Sequence, residues 1–221
     1  FKDIKAAWDP NNIFNPEKIV NTPKMNTHLR YTNNQDTKDL KTYFDFSADG
    51  GIIRSAERCN GSGDCRNTHL TGKSMCPSYQ ASLDEKNTTR ARANLLREFL
   101  SYSDKKNVFN SKEVYNILDL CLSCKACKSE CPSNVDMAKL KAEFLQHYYQ
   151  SNGVPLRTRL IANISKINQL GGIAPKLYNY VNQHPKLGSL IKKQLGFAQE
   201  RSIPKLHQTT LKYWYKRYSI T

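Results

Sequence analysis

No apolar run in this 221-residue sequence approaches the length of a membrane span, and no segment has the layout of an export signal. Together with reduced metal-type cysteines, this places the chain in the cytoplasm, with contact at the inner membrane face as its remaining membrane role. Sustained period-two alternation is also missing, which argues against sheets and predicts an all-α core. Acidic residues are scarce, 19 against 34 Lys and Arg, for a formal charge of +15. Apolar residues make up 38% and mean hydropathy is −0.68, a thin core for this length. Bound metal can supply the missing cohesion, because ligand binding energy is then folding energy. The five histidines, His28, His69, His147, His184 and His207, stand alone and suggest no ligand group.

What the chain does have is seven cysteines in two groups. The second group, Cys121, Cys124, Cys127 and Cys131-Pro132, has the C-x2-C-x2-C-x3-C-P spacing of a two-cluster ferredoxin. In that arrangement three thiolates hold one iron–sulfur cluster and the cysteine before proline reaches the other. The first group, Cys59, Cys65 and Cys76-Pro77, also ends in Cys-Pro, but Ser62 stands where a middle cysteine is expected. The spacing therefore predicts Cys76, Cys121, Cys124 and Cys127 around a [4Fe–4S] cluster. Cys59, Cys65 and Cys131 would share a second, either [3Fe–4S] or [4Fe–4S], with Ser62 facing the remaining corner. Serine oxygen is a harder ligand than sulfur, which favours the three-iron form slightly. Zinc has no use for this run of ligands, and seven cysteines divide badly into tetrahedral sites or disulfides.

The positive charge admits two readings. Lys212, Tyr213, Trp214, Tyr215, Lys216, Arg217 and Tyr218 interleave bases and aromatics as a nucleic-acid surface would, so a zinc-stabilised nucleic-acid module is the competing class. No nucleic-acid motif accompanies the charge, and a basic surface facing an acidic partner or an anionic membrane accounts for it as well.

Four regions follow along the chain. Residues 1–25 hold a helix ending near Pro10 and then a turn; 26–55 read as a polar linker with a short strand-like stretch at 43–46. Residues 56–150 carry the cysteine loops between helices, and 151–221 form a helical extension punctuated by Pro and Gly. Asn87 or Thr88 can cap a helix over 88–100, Asn110 with Glu113 forms a capping box, and Asn134 can cap the helix bearing Ala138, Leu140, Phe144 and Tyr148. Gly153 ends that helix, and Pro155 starts another running to about 169. Helices beside cysteine loops can aim backbone N–H groups at cluster sulfurs.

Cys59-Asn-Gly-Ser-Gly-Asp-Cys65-Arg66, Met75-Cys76-Pro77-Ser78-Tyr79, Asp84-Glu85 and Thr89-Arg90-Ala-Arg92-Ala93-Asn94 are recognisable together. With Cys121 to Leu140, they resemble the FAD-linked 2-hydroxy-acid dehydrogenases that carry a fused ferredoxin region. That group includes D-lactate and D-2-hydroxyglutarate dehydrogenases and glycolate-oxidase-like proteins. Asp9-Pro10-Asn-Asn-Ile-Phe-Asn15-Pro16-Glu17-Lys18 looks like the end of their flavin domain, where the family usually writes glycine at the place of Glu17. The resemblance implies an α-helical ferredoxin module behind a remnant of the flavin domain, inside a longer enzyme. FAD would sit in a flavin domain of the same polypeptide, with Asn15 on the flavin side and Arg90 and Arg92 against a cluster or the flavin domain. Electrons would pass to a quinone, a flavoprotein or a cysteine-rich domain; Glu200-Arg201-Ser-Ile-Pro204 resembles the approach to that domain in the family. The iron–sulfur subunit of a separate respiratory dehydrogenase is the alternative within the same chemistry.

Overall fold

The computed structural model describes residues 1–31 and 35–218 and divides the chain into two compact units, Phe1–Leu40 and Lys41–Thr221. Among the described residues there are helices and turns and no strand, so the fold is all-α.

The first unit is built on α1 (Lys2–Trp8). Asp9 ends the helix with a buried carboxylate that accepts from the Ile13 and Phe14 amides at 2.8 and 2.9 Å and pairs with Lys5 at 2.5 Å. The helix stops before Pro10 because the residue preceding proline is pushed out of the helical region. In the turn that follows, Glu17 has φ +58°. That left-handed conformation costs an L residue and is free for glycine.

The second unit has its core where four helices meet: α2 (Ile52–Glu57), α4 (Thr89–Tyr102), α5 (Lys112–Asp119) and α7 (Met137–Asn152). Short α3 (Pro77–Ser82) and α6 (Ala126–Glu130) follow the cysteine loops. Ile52, Ile53 and Ala56 face Ala93, Leu96 and Leu100 of α4; Val114, Leu118, Leu140 and Phe144 complete the buried set. On α4 the spacing 93, 96, 100 keeps one stripe inward. The helix starts at Thr88, whose hydroxyl accepts from the Ala91 amide at 3.0 Å.

Beyond Gly153 the chain continues through α8 (Leu156–Ala162), α9 (Ile164–Gly171), α10 (Pro175–Gln183), α11 (Pro185–Leu195) and α12 (Leu211–Tyr218). Within these five helices Gly188 is the sole buried residue among those described.

Four local expectations need correction. The stretch at 43–46 is no strand: the Tyr43 and Phe44 amides donate at 2.8 and 2.9 Å to the buried Glu143 carboxylate, which replaces a strand partner. The cap of α5 is Ser111, 3.4 Å from the Val114 amide, while Asn110 accepts from the Asn152 side chain at 2.9 Å. The cap of α7 is Asp136, accepting from the Lys139 amide at 3.0 Å; Asn134 sits two residues earlier in the left-handed region, φ +50°. The helix expected from Pro155 to about 169 is broken at Asn163, whose side chain donates to the Arg159 carbonyl at 2.8 Å and so competes with the backbone ladder.

Candidate metal centre

The two cysteine loops share one backbone design. Gly61 and Ser123 occupy corresponding places and both have positive φ, +81° and +54°. Gly63 and Lys125 correspond next, at φ/ψ +82°/+1° and +62°/+4°, and each opens a helical turn, Asp64–Arg66 in one loop and α6 in the other. Cys65 and Cys127, which follow, are both buried, 6% and 7% exposed. By this register Ser62 holds the place of Cys124, and both are exposed. The Ser62 amide donates to Asn60 Oδ1 at 3.1 Å and its hydroxyl bonds to the Asp64 carboxylate. Left-handed residues at alternate positions curl the backbone of both loops in the same way.

Cys76, Cys121, Cys124 and Cys127 line a single cleft, with Thr89, Arg92, Met137 and Ala138 beside them. The sequence-spaced cysteines are thus joined by the one before Pro77, from 45 to 51 residues away in sequence. Cys65 is also buried and hydrogen-bonds with Cys76. Cys59 and Cys131 are half-buried. Among the described residues no three His, Cys, Asp or Glu side chains are grouped closely enough to hold a single metal ion. A cluster asks for a different layout, one thiolate per iron around a cleft, and the all-sulfur donor set of this one fits that chemistry.

Two helix N-termini serve the sulfurs. At the start of α4 the Thr89 amide donates to Cys76 Sγ at 3.1 Å, and the Thr89 hydroxyl lies 3.0 Å from the same atom. The hydrogen bond from the Cys76 thiol draws the Cys65 pKa down to about 6, with help from the Arg90 amide, whereas sharing that proton and burial push Cys76 up. At the start of α7 the Met137 and Ala138 amides face Cys127; burial still raises this thiol overall. Free helical N–H groups and the dipole behind them favour negative sulfur.

A carboxylate absent from the sequence-based site list closes the arrangement. Glu130, next to Cys131, accepts from the Ser74 amide at 3.1 Å, the Ser74 hydroxyl at 2.5 Å and the Met75 amide at 2.9 Å. It ties the segment ahead of Cys76 to the segment ahead of Cys131, so the two Cys-Pro ends are held together. Its one signal in the sequence is an acid beside a cysteine in a loop otherwise rich in lysine. Lys141 was equally hidden: its ammonium donates to the carbonyls of Cys121 at 2.7 Å and Asp119 at 3.1 Å. Burial lowers its pKa, and the negative character of Cys121 opposes that shift.

The arginines separate. Arg90 is half-exposed and pairs with Glu85 at 2.8 Å. Arg92 is buried at 2% exposure, with Nε on the Ile117 carbonyl at 3.1 Å, Nη1 on the Asn87 carbonyl at 2.7 Å and Nη2 on Ser78 Oγ at 3.1 Å. In the first unit Asn15 lines a cleft of about 310 Å³ with Phe1, Ile4 and Phe14.

Residues 55–135 match the profile described as the 4Fe-4S dicluster domain. This stretch is similar to a 4Fe–4S dicluster domain over somewhat more than a third of the chain. Both cysteine groups fall within the matched span, which supports an iron–sulfur electron-transfer region there. The whole chain is similar to a segment of D-2-hydroxyglutarate dehydrogenase from Escherichia coli (strain K12), 28% identical over 246 residues, covering 94% of this chain and 24% of the relative. The D-2-hydroxyglutarate dehydrogenase of Pseudomonas putida is 28% identical over 248 residues, with 94% and 24% covered. That of Haemophilus influenzae is 26% identical, with 98% and 24% covered. The chain therefore spans about a quarter of the length of these curated relatives, whose names are those of oxidoreductases. No solved structure matches it at a significant level. Among the described residues no helix is long and apolar enough to cross a membrane.

Proposed function

We propose that this chain is the electron-transfer region of a flavin-dependent 2-hydroxy-acid dehydrogenase. It relays electrons from reduced FAD, held by a flavin domain of the same polypeptide, to a downstream quinone, flavoprotein or cysteine-rich domain. The reading is carried by the cleft that gathers Cys76 with Cys121, Cys124 and Cys127. These four hold a [4Fe–4S] cluster. Cys59, Cys65 and Cys131 hold the second, with Ser62 at the corner that has no sulfur, either as an oxygen ligand or beside a three-iron cluster. Bound there, the clusters supply one-electron acceptance and release, which flavin chemistry needs in order to pass on an electron pair singly.

The chain's own residues do the rest. Thr89, Met137 and Ala138 present N–H groups to ligand sulfur, and Glu130 keeps the two Cys-Pro ends together. The relatives' names make a D-2-hydroxy dicarboxylate the first substrate to try with the whole enzyme. Asn15 belongs to the flavin side of the remnant at 1–25, and 151–221 to the extension toward the acceptor.

In the whole enzyme, Cys76→Ala should leave flavin bleaching by the hydroxy acid intact while abolishing electron delivery to an artificial or natural acceptor. Delivery at the unsubstituted rate from a Cys76→Ala protein lacking that cluster would show that electrons take another route.

A further inference from the structure

The basic side chains around the cysteine loops are nearly all paired. Lys73 meets Asp64 at 3.2 Å, Arg66 and Arg90 both meet Glu85, and Lys125 and Lys128 share Asp136 at 3.3 and 3.5 Å. Two cations depart from this pattern. Arg92 lines the cleft of Cys76, Cys121, Cys124 and Cys127, and Lys141 donates to the Cys121 carbonyl. Both satisfy their donors on neutral acceptors, four of them for Arg92 and two for Lys141. Among the described residues neither forms an ion pair. The buried carboxylates are engaged elsewhere: Asp136 caps α7 and meets Lys125 and Lys128, and Glu143 holds Tyr43, Phe44 and His147.

A guanidinium keeps its charge under all conditions a protein meets, and taking such a charge out of water is costly without an opposite one nearby. Neutral hydrogen bonds satisfy its donors and leave its charge uncompensated. The cleft it lines has four thiols and no acid, so the counter-charge is to be found in what those thiols hold. Four thiolates on a [4Fe–4S] core make an anion, and adding an electron makes it more negative.

We infer that Arg92 and Lys141 are the counter-charge of the cluster held by Cys76, Cys121, Cys124 and Cys127, and that together they raise its reduction potential above that of the Cys59, Cys65 and Cys131 site. The inference rests on the proposed ligand assignment and deepens it by giving the two sites unequal roles. Around the first loop the nearby bases, Arg66, Arg90 and Lys73, are exposed or half-exposed to solvent and each meets Glu85 or Asp64, so screening and pairing weaken their bias on that site. Net charge and buried dipoles near a cluster are among the main determinants of its potential. Both residues act through the cluster's surroundings and are positioning residues.

The test is an EPR-monitored redox titration of the 221-residue chain after anaerobic reconstitution with iron and sulfide. Lys141→Met should shift the electron-acceptance equilibrium of this cluster at least tenfold toward the oxidised form, about 59 mV for one electron. Lys141→Arg should restore it. Arg92→Gln should move it in the same direction, with Arg92→Lys between. Cluster content measured beside the titration separates two failures. A reference protein that takes up no iron overturns the ligand assignment and the inference with it. Loaded Lys141→Met and Arg92→Gln proteins that titrate at the original potential overturn the inference alone. A Lys141→Met chain that keeps its helicity but cannot be loaded shows a structural role and also overturns it.

Discussion

At position 62 an oxygen stands where position 124 has sulfur, on loops whose backbone runs through the same left-handed steps. If the first loop is a complete cradle short of one ligand, Ser62→Cys should finish it. Iron per chain should reach that of two full cubes, about eight, and any three-iron EPR signal of the oxidised protein should vanish. An unchanged signal and iron content would mean that position 62 faces away from the metal. Glu130 poses a different question, because its three hydrogen bonds join residues 55 and 56 positions apart. Glu130→Ala should release iron to a chelator several-fold faster than the parent while leaving the helix content unchanged; equal rates would remove its clasping role. The contrast shows which residues could be read from sequence. Cysteines carry their chemistry in local spacing, so Cys121, Cys124, Cys127 and Cys131 could be singled out from sequence as the proposed ligands. Glu130, Lys141 and the Thr89 amide act through contacts that form only after the chain has folded, and an isolated Glu or Lys has no local mark.

For the helices, periodicity placed α4, α5 and α7 and their buried stripes, whereas their starts were partly misjudged. Thr88 was found because it is a strong cap followed at once by good helix formers. Asn110 and Asn134 lost to Ser111 and Asp136, one and two residues on, since several capping residues lay in a row and tertiary contacts chose between them. Thr88→Ala should destabilise the unit by about 1 kcal/mol in urea unfolding, and because Thr88 precedes the amides that serve Cys65 and Cys76, it should also speed cluster loss. No change in either measurement would separate the cap from the site. Glu143 is fully buried and takes the place a strand partner would have filled for 43–44. Its replacement by leucine should cost about 2 kcal/mol, the range for hydrogen bonds to a charged group, and free the 41–46 segment to faster amide exchange. Protection of the Tyr43 and Phe44 amides that survives the substitution would contradict this account of the segment.

Across the whole molecule, charge is the most uneven property. Residues 151–221 hold twelve Lys or Arg against a single acid, Glu200, and their helices bury almost nothing among the described residues. Such one-signed charge repels itself, so raising salt from a few millimolar to about 0.15 M should increase thermal stability as screening sets in. A fall in Tm would point instead to dominant attractive pairs. The all-α class and the similarity to a dicluster domain were both legible, because the absence of alternation and the cysteine spacing are global patterns. The boundary of the compact units near residue 40 was not, since composition changes gradually through 26–55.

Iron and acid-labile sulfide, counted per chain in anaerobically reconstituted protein and in its Cys76→Ala variant, probe the joining of two motifs most directly. The expected result is a brown protein with about seven or eight irons, falling by about half on the substitution as the cluster shared by Cys76, Cys121, Cys124 and Cys127 is lost. A colourless protein holding stoichiometric zinc, or a variant with undiminished iron, would contradict it.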